Sequence, residues 1–275
     1  MIKAIFFDID GTIISIRKHA APQSALDAIA RVRGYGVKTF LCTSRARQFL
    51  TNVHGVDYDG LVCLTGAHCV EKDGQDINCA LMDPGDVAAI ITDSQKKGLP
   101  LVVISSKRIY ACNAMHPAII ASLATGGLKV SDVDGGITEL PDFTSAPDPV
   151  SLAASFGVLQ VTGYFHSGVE EDKTMKMMPH SHTERWCESF VDIVGNGTSK
   201  ALGLKVMGKH FGFDISETMA IGDGANDIPM IRAAGWGVAM GNASDTVKSC
   251  ADAVTDDVDC DGLAKALEKV LKQYE

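Results

Sequence analysis

The chain has 275 residues, of which 46% are hydrophobic and 21% are charged, a composition typical of one or two globular domains. Its 25 basic and 34 acidic side chains give a net charge of −9, which disfavours binding to nucleic acid or to an anionic membrane surface. The apolar runs are only a few residues long, whereas a membrane-spanning helix needs about 20, and the first residues lack the apolar stretch of a signal peptide. We therefore expect a cytoplasmic protein with neither a nucleic-acid nor a membrane partner.

The first 70 residues alternate short apolar runs with stretches of helical spacing. Strands are predicted at 3–7, 37–42 and 61–64, and helices at 22–33 and 45–53. Strand–helix–strand alternation of this kind is typical of a parallel sheet.

Residues from about 83 to 184 follow a different pattern. It predicts a helix at 87–97, two closely spaced strands at 101–105 and 109–113, a helix after Pro117 and a strand near 158–164. This mixture indicates an α+β insert that covers one edge of the sheet as a cap.

The last third returns to the first pattern. It predicts strands at 218–221, 237–240 and 253–255, and helices at 202–211, 228–234 and 263–272. We therefore predict an α/β fold with a doubly wound, Rossmann-like parallel sheet. Residues 1–82 and 185–275 would form this core, and residues 83–184 the inserted cap.

Polar residues directly follow three of the predicted strands. They are Asp8 and Asp10 after the first strand, Thr43, Ser44 and Arg45 after the second, and Asp223, Asn226 and Asp227 after the strand at 218–221. Because ligands bind beyond the carboxyl ends of the strands in open α/β sheets, we expect these loops to share one edge. Four clustered aspartates repel one another unless a cation binds, and oxygen ligands favour Mg²⁺. Asp8 and Asp10 are two residues apart, so both can point to one side, one as a nucleophile and the other as an acid or base.

Four segments of the chain resemble the four motifs of the haloacid dehalogenase superfamily. They are Asp8-Ile-Asp-Gly-Thr12, Thr43, Lys200 at the start of a helix, and Gly222-Asp-Gly-Ala-Asn-Asp227. The order of these motifs and the insert between the second and the third resemble the Cof-type phosphatases, which carry a large α+β cap of class IIB. The resemblance covers the whole core and, by length and position, the cap.

The resemblance implies a role for each matching residue. Asp8 would attack phosphorus and form an aspartyl-phosphate, and Asp10 would protonate the leaving alcohol and then deprotonate the hydrolytic water. The Asp8 carboxylate, the Asp10 main-chain carbonyl and Asp223 would hold Mg²⁺. Lys200 and Thr43 would bind the phosphoryl oxygens.

The remaining site residues are also assigned by resemblance. Asn226, Ser44 and Arg45 would contact the phosphoryl group, and Asp227 would bind either a metal-bound water or Lys200. Ser44 stands where the Cof-type pattern usually has Gly, and Thr65 precedes Gly66 where those relatives often have Asn. The first difference bears on the role of Arg45 and the second on the details of substrate binding, whereas the reacting carboxylates match the family's pattern.

The sequence thus predicts a Mg²⁺-dependent phosphatase for small phosphorylated metabolites, with sugar phosphates as the favoured class. A phosphosugar mutase would use the same aspartyl-phosphate and return the phosphate to its substrate. Two readings from other classes are a phosphorylation-switched receiver-like module and a non-catalytic binding protein. A receiver needs about 120 residues in one block without a cap, which the insert at 83–184 argues against.

Overall fold

A computed structural model of the chain describes residues 1–51, 53–125, 127–165, 168–185 and 188–274. In chain order its strands are β1 (Ala4–Phe7), β2 (Lys38–Cys42), β3 (Gly60–Cys63), β4 (His68–Glu71), β5 (Asp76–Cys79), β6 (Leu101–Ser105), β7 (Ile109–Cys112), β8 (Ile137–Glu139), β9 (Val158–Gly163), β10 (Ser181–Glu184), β11 (Val191–Gly195), β12 (Thr218–Gly222), β13 (Trp236–Ala239) and β14 (Ala253–Val254). Its α-helices are α1 (Gln23–Gly34), α2 (Pro84–Lys97), α3 (Pro117–Thr125), α4 (Pro149–Phe156), α5 (Val169–Met177), α6 (Lys200–Phe211), α7 (Ile228–Ala233), α8 (Asp245–Lys248) and α9 (Gly262–Leu271). None of these helices is long and apolar enough to cross a membrane.

The first compact unit contains Met1–Arg45, Val53–Asn78 and Ser199–Glu275. Its sheet has the strand order β14-β13-β12-β1-β2-β3-β4-β5. Every pair from β14 to β3 is parallel, and β4 is antiparallel to β3. All four residues of β1 are buried, as expected for a strand in the middle of a parallel sheet with both faces covered. The predicted α/β class with a parallel core sheet is confirmed.

The second compact unit contains Ala46–Asn52 and Cys79–Thr198. Its six-stranded sheet has the order β10-β11-β9-β6-β7-β8 and is antiparallel except for the pair β7–β8. Helix α2 has a well-defined start, because the Asp83 side chain accepts the N–H groups of Gly85 and Asp86 and Pro84 occupies the first turn. A buried apolar cluster that includes residues of α2, β6, β9 and β11 forms the core of this unit.

The structure differs from the sequence prediction in several places, and the second unit also contains β8, β10, α4 and α5, which the sequence did not predict. Strand β11 is hydrogen-bonded between β10 and β9, so residues up to 198 group with the second sheet, whereas the predicted core resumes at 185. The helix predicted at 45–53 is wrong: among the residues of this range that the structure describes, which exclude 52, helical backbone is limited to a three-residue 3₁₀ turn, Arg47–Phe49. The apolar residues Ala46, Phe49, Leu50 and Val53 do have helical spacing. A helix of nine residues is nevertheless unstable by itself, so tertiary packing rather than this spacing decides the backbone here.

Aromatic packing supports the first sheet. The rings of Phe6 in β1 and Phe40 in β2 stack with 4.8 Å between their centroids, and Phe213 packs against both. Phe6 and Phe40 have no solvent exposure. Because these two strands carry Asp8 and Thr43 at their ends, the stack fixes the relative positions of β1 and β2, from which two residues of the candidate site extend.

Phe40→Ala should lower the free energy of unfolding by about 3–5 kcal/mol, since it removes a fully buried ring and leaves a cavity. Urea denaturation followed by circular dichroism measures this change. Val254→Ala, at a half-exposed residue of β14, is the control and should change the free energy by less than about 0.5 kcal/mol. Equal effects of the two substitutions would contradict the role given to the aromatic stack.

Candidate active site

Three adjacent strands of the first sheet end in polar residues that the sequence analysis selects. Asp8 follows β1, Thr43 follows β2 and Asp223 follows β12. The backbone N–H of Asp8 donates to the Ile221 carbonyl of β12 at 2.9 Å. Because β12, β1 and β2 are neighbours and parallel, their carboxyl ends lie side by side, with Asp8 in the middle.

A buried ammonium group joins two of the carboxylates. Lys200 is the first residue of α6, and its Nζ donates to Asp8 Oδ1 at 2.6 Å and to Asp227 Oδ1 at 2.5 Å. Lys200 and Asp227 are 0% exposed, and Asp8 is 7% exposed. A positive charge at a helix N-terminus opposes the helix dipole, so these two carboxylates are what stabilise Lys200 there.

A third carboxylate completes the cluster. One oxygen from each of Asp8, Asp223 and Asp227 lies within 4.8 Å of the other two. Asp227 Oδ2 accepts the backbone N–H groups of Asp223 and Gly224 at 2.9 and 2.8 Å, so both Asp227 oxygens are in use. The Asp223 oxygens accept hydrogen bonds from neutral donors, including the Thr12 hydroxyl at 3.1 Å.

Burial dominates the acid–base properties of this cluster. It raises the pKa of Asp8 well above its ordinary value, and the charge of Asp227 adds to the effect while Lys200 opposes it. Burial also raises the pKa of Asp223 to about 7, again with a contribution from Asp227. Burial disfavours the charged form of Lys200, but Asp227 and Asp8 outweigh it and raise the Lys200 pKa, so Lys200 is an ammonium ion.

The donor set of the cluster fits a hard divalent cation. Three carboxylates and one ammonium group leave a formal charge of −2, which one divalent ion neutralises. All of the ligand atoms are oxygens, as Mg²⁺ prefers.

The Asp10 carboxylate lies outside this trio and is bound by an arginine. Arg45 donates from Nε to Asp10 Oδ2 at 2.7 Å and from Nη2 to Asp10 Oδ1 at 2.6 Å. Two parallel hydrogen bonds between a guanidinium and a carboxylate form a strong, well-oriented pair. The Asp10 side chain is 40% exposed, so this carboxylate is accessible to solvent, whereas the Arg45 side chain is 11% exposed.

The other predicted site residues make different contacts. Buried Thr43 accepts the N–H of Arg45 through Oγ1, and its carbonyl accepts the N–H of Thr65, both at 3.1 Å. Ser44 and Asn226 are half-buried, and their side chains make no hydrogen bond within the described residues. Their contact with a phosphoryl group therefore stays a prediction.

A left-handed turn follows β3 and packs against the start of α6. Leu64, Thr65 and Gly66 have φ values of 52°, 54° and 96°, a region that is unfavourable for a β-branched residue such as Thr65. Thr65 is 1% exposed, and its Oγ1 has no partner among the described residues. A Cβ on Gly66 would lie 2.1 Å from the carbonyl oxygen of Ser199, the residue before Lys200.

Two further residues bind Asp223 and are not among the site residues that the sequence predicts. Besides Thr12, the Asn242 side chain donates to Asp223 Oδ2 at 3.0 Å. Asn242 lies just after β13, so the rule that selected the other residues, a polar residue after an apolar strand, could have found it. Thr12 lies within the first motif, and its hydroxyl, which can donate to a nearby carboxylate, is the feature that could have identified it.

The raised pKa of Asp223 predicts a specific pH dependence in metal-free protein. The folded state holds a proton that an unfolded aspartate loses near pH 4, so the fold loses stability as the pH rises from about 4 through about 7. In EDTA, the melting temperature of the wild type should fall between pH 5 and pH 8 by at least about 2 °C more than that of Asp223→Asn.

Added Mg²⁺ should remove most of that difference, because a bound cation stabilises the ionised carboxylate. Differential scanning calorimetry at the two pH values, with and without Mg²⁺, measures all four conditions. Identical pH profiles for the wild type and Asp223→Asn in EDTA would contradict the prediction.

Comparisons with known proteins agree with this geometry. A family model described as haloacid dehalogenase-like hydrolase matches residues 5–267. The structure of BT1666, a phosphatase of the haloalkanoate (HAD) superfamily from Bacteroides thetaiotaomicron, is similar with a TM-score of 0.82 and 34% identity, over 98% of this chain and 95% of that chain. The structure of the HAD subclass IIB sugar phosphatase BT4131 gives a TM-score of 0.81 and 31% identity over 98% of both chains.

A relative named for a different substrate is also similar. The pyridoxal phosphate phosphatase YbhA of Escherichia coli (strain K12) is 26% identical over 272 residues, which are 96% of each chain. The family model spans nearly the whole chain, and both solved structures exceed 30% identity over almost their full length. The chain therefore belongs to the haloacid dehalogenase-like hydrolase family and is a phosphatase of that family.

Proposed function

We propose that the chain is a Mg²⁺-dependent phosphatase that hydrolyses small phosphorylated metabolites, sugar phosphates in particular, through an aspartyl-phosphate on Asp8. The observation that carries this proposal is the buried cluster of Asp8, Asp223, Asp227 and Lys200, whose charge of −2 one divalent cation would neutralise. The sugar-phosphate class is supported by the likeness to BT4131, a sugar phosphatase.

Asp8, Asp223 and the main-chain carbonyl of Asp10 would hold the Mg²⁺. The hydrogen bonds of the two carboxylates support this choice, because Asp227 accepts from three donors, one of them the charged Lys200, whereas Asp223 accepts from two neutral side chains. Bound Mg²⁺ would orient the transferring phosphoryl group and neutralise its charge.

In the first step an Asp8 oxygen forms a bond to phosphorus while the ester P–O bond breaks, and Asp10 gives its proton to the leaving alcohol. In the second step Asp10 takes a proton from water, the water oxygen bonds to phosphorus, and the P–O bond to Asp8 breaks. The products are the alcohol and inorganic phosphate. Lys200, which donates a hydrogen bond to Asp8, would orient the Asp8 carboxylate for attack and bind the phosphoryl oxygens.

The ion pair between Arg45 and Asp10 suggests how substrate binding makes Asp10 available as the general acid. Arg45 binds both Asp10 oxygens, so at least one of these bonds must open and Asp10 must take up a proton from solvent before it can protonate the leaving alcohol. A phosphoryl dianion attracts the guanidinium strongly and can draw Arg45 from Asp10. Thr43, Ser44 and Asn226 would supply neutral donors to the same phosphoryl oxygens, and residues 83–184 would act as the cap that selects the substrate.

The test is release of inorganic phosphate from a panel of sugar phosphates, pyridoxal phosphate and an aryl phosphate, with Mg²⁺ or with EDTA. Wild-type protein should release phosphate only with Mg²⁺, and Asp8→Asn should reduce release by at least about a thousandfold. Asp10→Asn should reduce it by about 10²–10⁴-fold, and less for the aryl phosphate, whose leaving group needs little protonation.

Asp27→Asn is the matched control, since Asp27 is a carboxylate on α1 bonded to Gln23 in an exposed position; it should retain wild-type rates. Formation of an isomeric sugar phosphate without free phosphate would replace the phosphatase with a mutase. Release that is equal in Mg²⁺ and EDTA, or that survives Asp8→Asn, would refute the proposed mechanism.

Gly66→Ala should lower activity through Lys200. Its Cβ would collide with the Ser199 carbonyl and must displace the start of α6, so we expect kcat/KM to fall by at least about tenfold. Gly36→Ala is the matched control, because Gly36 has a similar φ of 83° but nothing within 4 Å of its Cβ position.

Both variants introduce a side chain into a left-handed conformation, which costs about 1–2 kcal/mol. Thermal melting should therefore reveal some loss of stability in each, while only Gly66→Ala loses activity at a temperature where both are folded. Equal kcat/KM for the two variants would argue against the contact between Gly66 and Ser199 as the support of Lys200.

A further inference from the structure

The side chain of Asn242 joins three loops of the first unit. Its Nδ2 donates to the Gly11 carbonyl at 2.8 Å and to Asp223 Oδ2 at 3.0 Å. Its Oδ1 accepts the backbone N–H of Val258 at 3.1 Å. One amide therefore connects the loop after β1, the loop after β12 and the short 3₁₀ turn before α9.

Two of these bonds hold the groups that would bind the cation. Asp223 is bound at Oδ1 by Thr12 and at Oδ2 by Asn242, so both donors together fix the orientation of its carboxylate. Gly11 follows Asp10, and the hydrogen bond to the Gly11 carbonyl holds the peptide next to the main-chain oxygen that would be another ligand. The loops approach so closely that a Cβ on Gly11 would lie 2.3 Å from Asp223 Oδ2.

The chemistry of an amide suits this position. A lysine or arginine here would neutralise Asp223 and compete with the cation, whereas a neutral donor orients the carboxylate and leaves its charge available. In metal sites, loss of a hydrogen-bond partner behind a ligand typically weakens metal binding by about 10–100-fold.

We propose that Asn242 is a positioning residue for the divalent cation, and that it acts by orienting Asp223 and the peptide of Gly11. The inference rests on the proposed function, because it needs the cation to bind at Asp8 and Asp223. In this role Asn242 acts through Asp223 and Gly11 and is not itself a ligand of the cation. Its effect should therefore appear in the affinity for Mg²⁺ and largely disappear when Mg²⁺ is saturating.

The hydrogen bond to Val258 raises an alternative, in which Asn242 only stabilises the fold. A proline at position 258 can distinguish this role from the positioning of Asp223. Val258 begins the 3₁₀ turn, and Asp257 before it has φ −62° and ψ 151°, a conformation that suits a residue preceding proline. Val258→Pro thus removes the N–H that binds Asn242 Oδ1 and leaves both Nδ2 hydrogen bonds in place.

The experiment is calorimetric titration of Mg²⁺ into metal-free protein without substrate, for the wild type, Asn242→Ala and Val258→Pro. We expect Asn242→Ala to raise the dissociation constant by about 10–100-fold and Val258→Pro to change it by less than about threefold. In phosphate-release assays, the Mg²⁺ concentration that gives half-maximal rate should rise by the same factor in Asn242→Ala. The rate at saturating Mg²⁺ should stay within about tenfold of the wild type.

If Asn242→Ala does not fold, Asn242→Ser replaces it, since serine retains a polar group but is too short to make all three hydrogen bonds. Unchanged Mg²⁺ affinity in the folded variant, or an equal loss in Val258→Pro, would overturn the inference. If the wild type binds Mg²⁺ and hydrolyses esters, and Asn242→Ala has the same Mg²⁺ affinity and the same rate, only this role of Asn242 is refuted. A wild type with neither Mg²⁺ binding nor Mg²⁺-dependent hydrolysis refutes the proposed function as well.

Discussion

The site depends on one buried ammonium group held between two carboxylates. An unpaired charge with no solvent exposure is strongly unfavourable, so Lys200, Asp8 and Asp227 each require the others. These three residues come from the start of α6, the end of β1 and the loop after β12. The pairing therefore fixes the relative positions of three chain segments, and the other contacts of the site are arranged around it.

Asp227 transmits this constraint to the neighbouring loop. Its Oδ1 binds Lys200, while its Oδ2 binds the N–H groups of Asp223 and Gly224 and so shapes the loop that carries Asp223. A Cβ on Gly222 would lie 2.4 Å from the Asp227 carboxyl carbon, which explains the absence of a side chain there. The Asp227 carboxylate thus couples Lys200, which would bind phosphate, to Asp223, which would bind the metal. Neutral donors complete the environment of Asp223.

The sequence predicts the parallel core and most of the cluster, because apolar runs mark buried strands and parallel strands bring their carboxyl ends together. It does not predict the strand at Val191–Gly195, whose membership of the second sheet is decided by its pairing with β10 and β9. The left-handed backbone of Thr65 is also hidden, since local preference opposes it and only tertiary packing selects it. Asn242 was within reach of the strand-end rule, but its three partners depend on loop geometry.

The central pair of the first sheet joins strands from opposite ends of the chain. Ala4 in β1 is in register with Thr218 in β12, so every residue of the second unit lies between the two partners. Bringing such distant segments together has a high loop-closure cost, and it cannot begin on the ribosome until β12 has been synthesised. The order of synthesis therefore allows the second unit to fold first. Asp8 and Asp223 cannot meet before β12 has been synthesised, so a prematurely terminated chain that lacks β12 cannot form the candidate cluster.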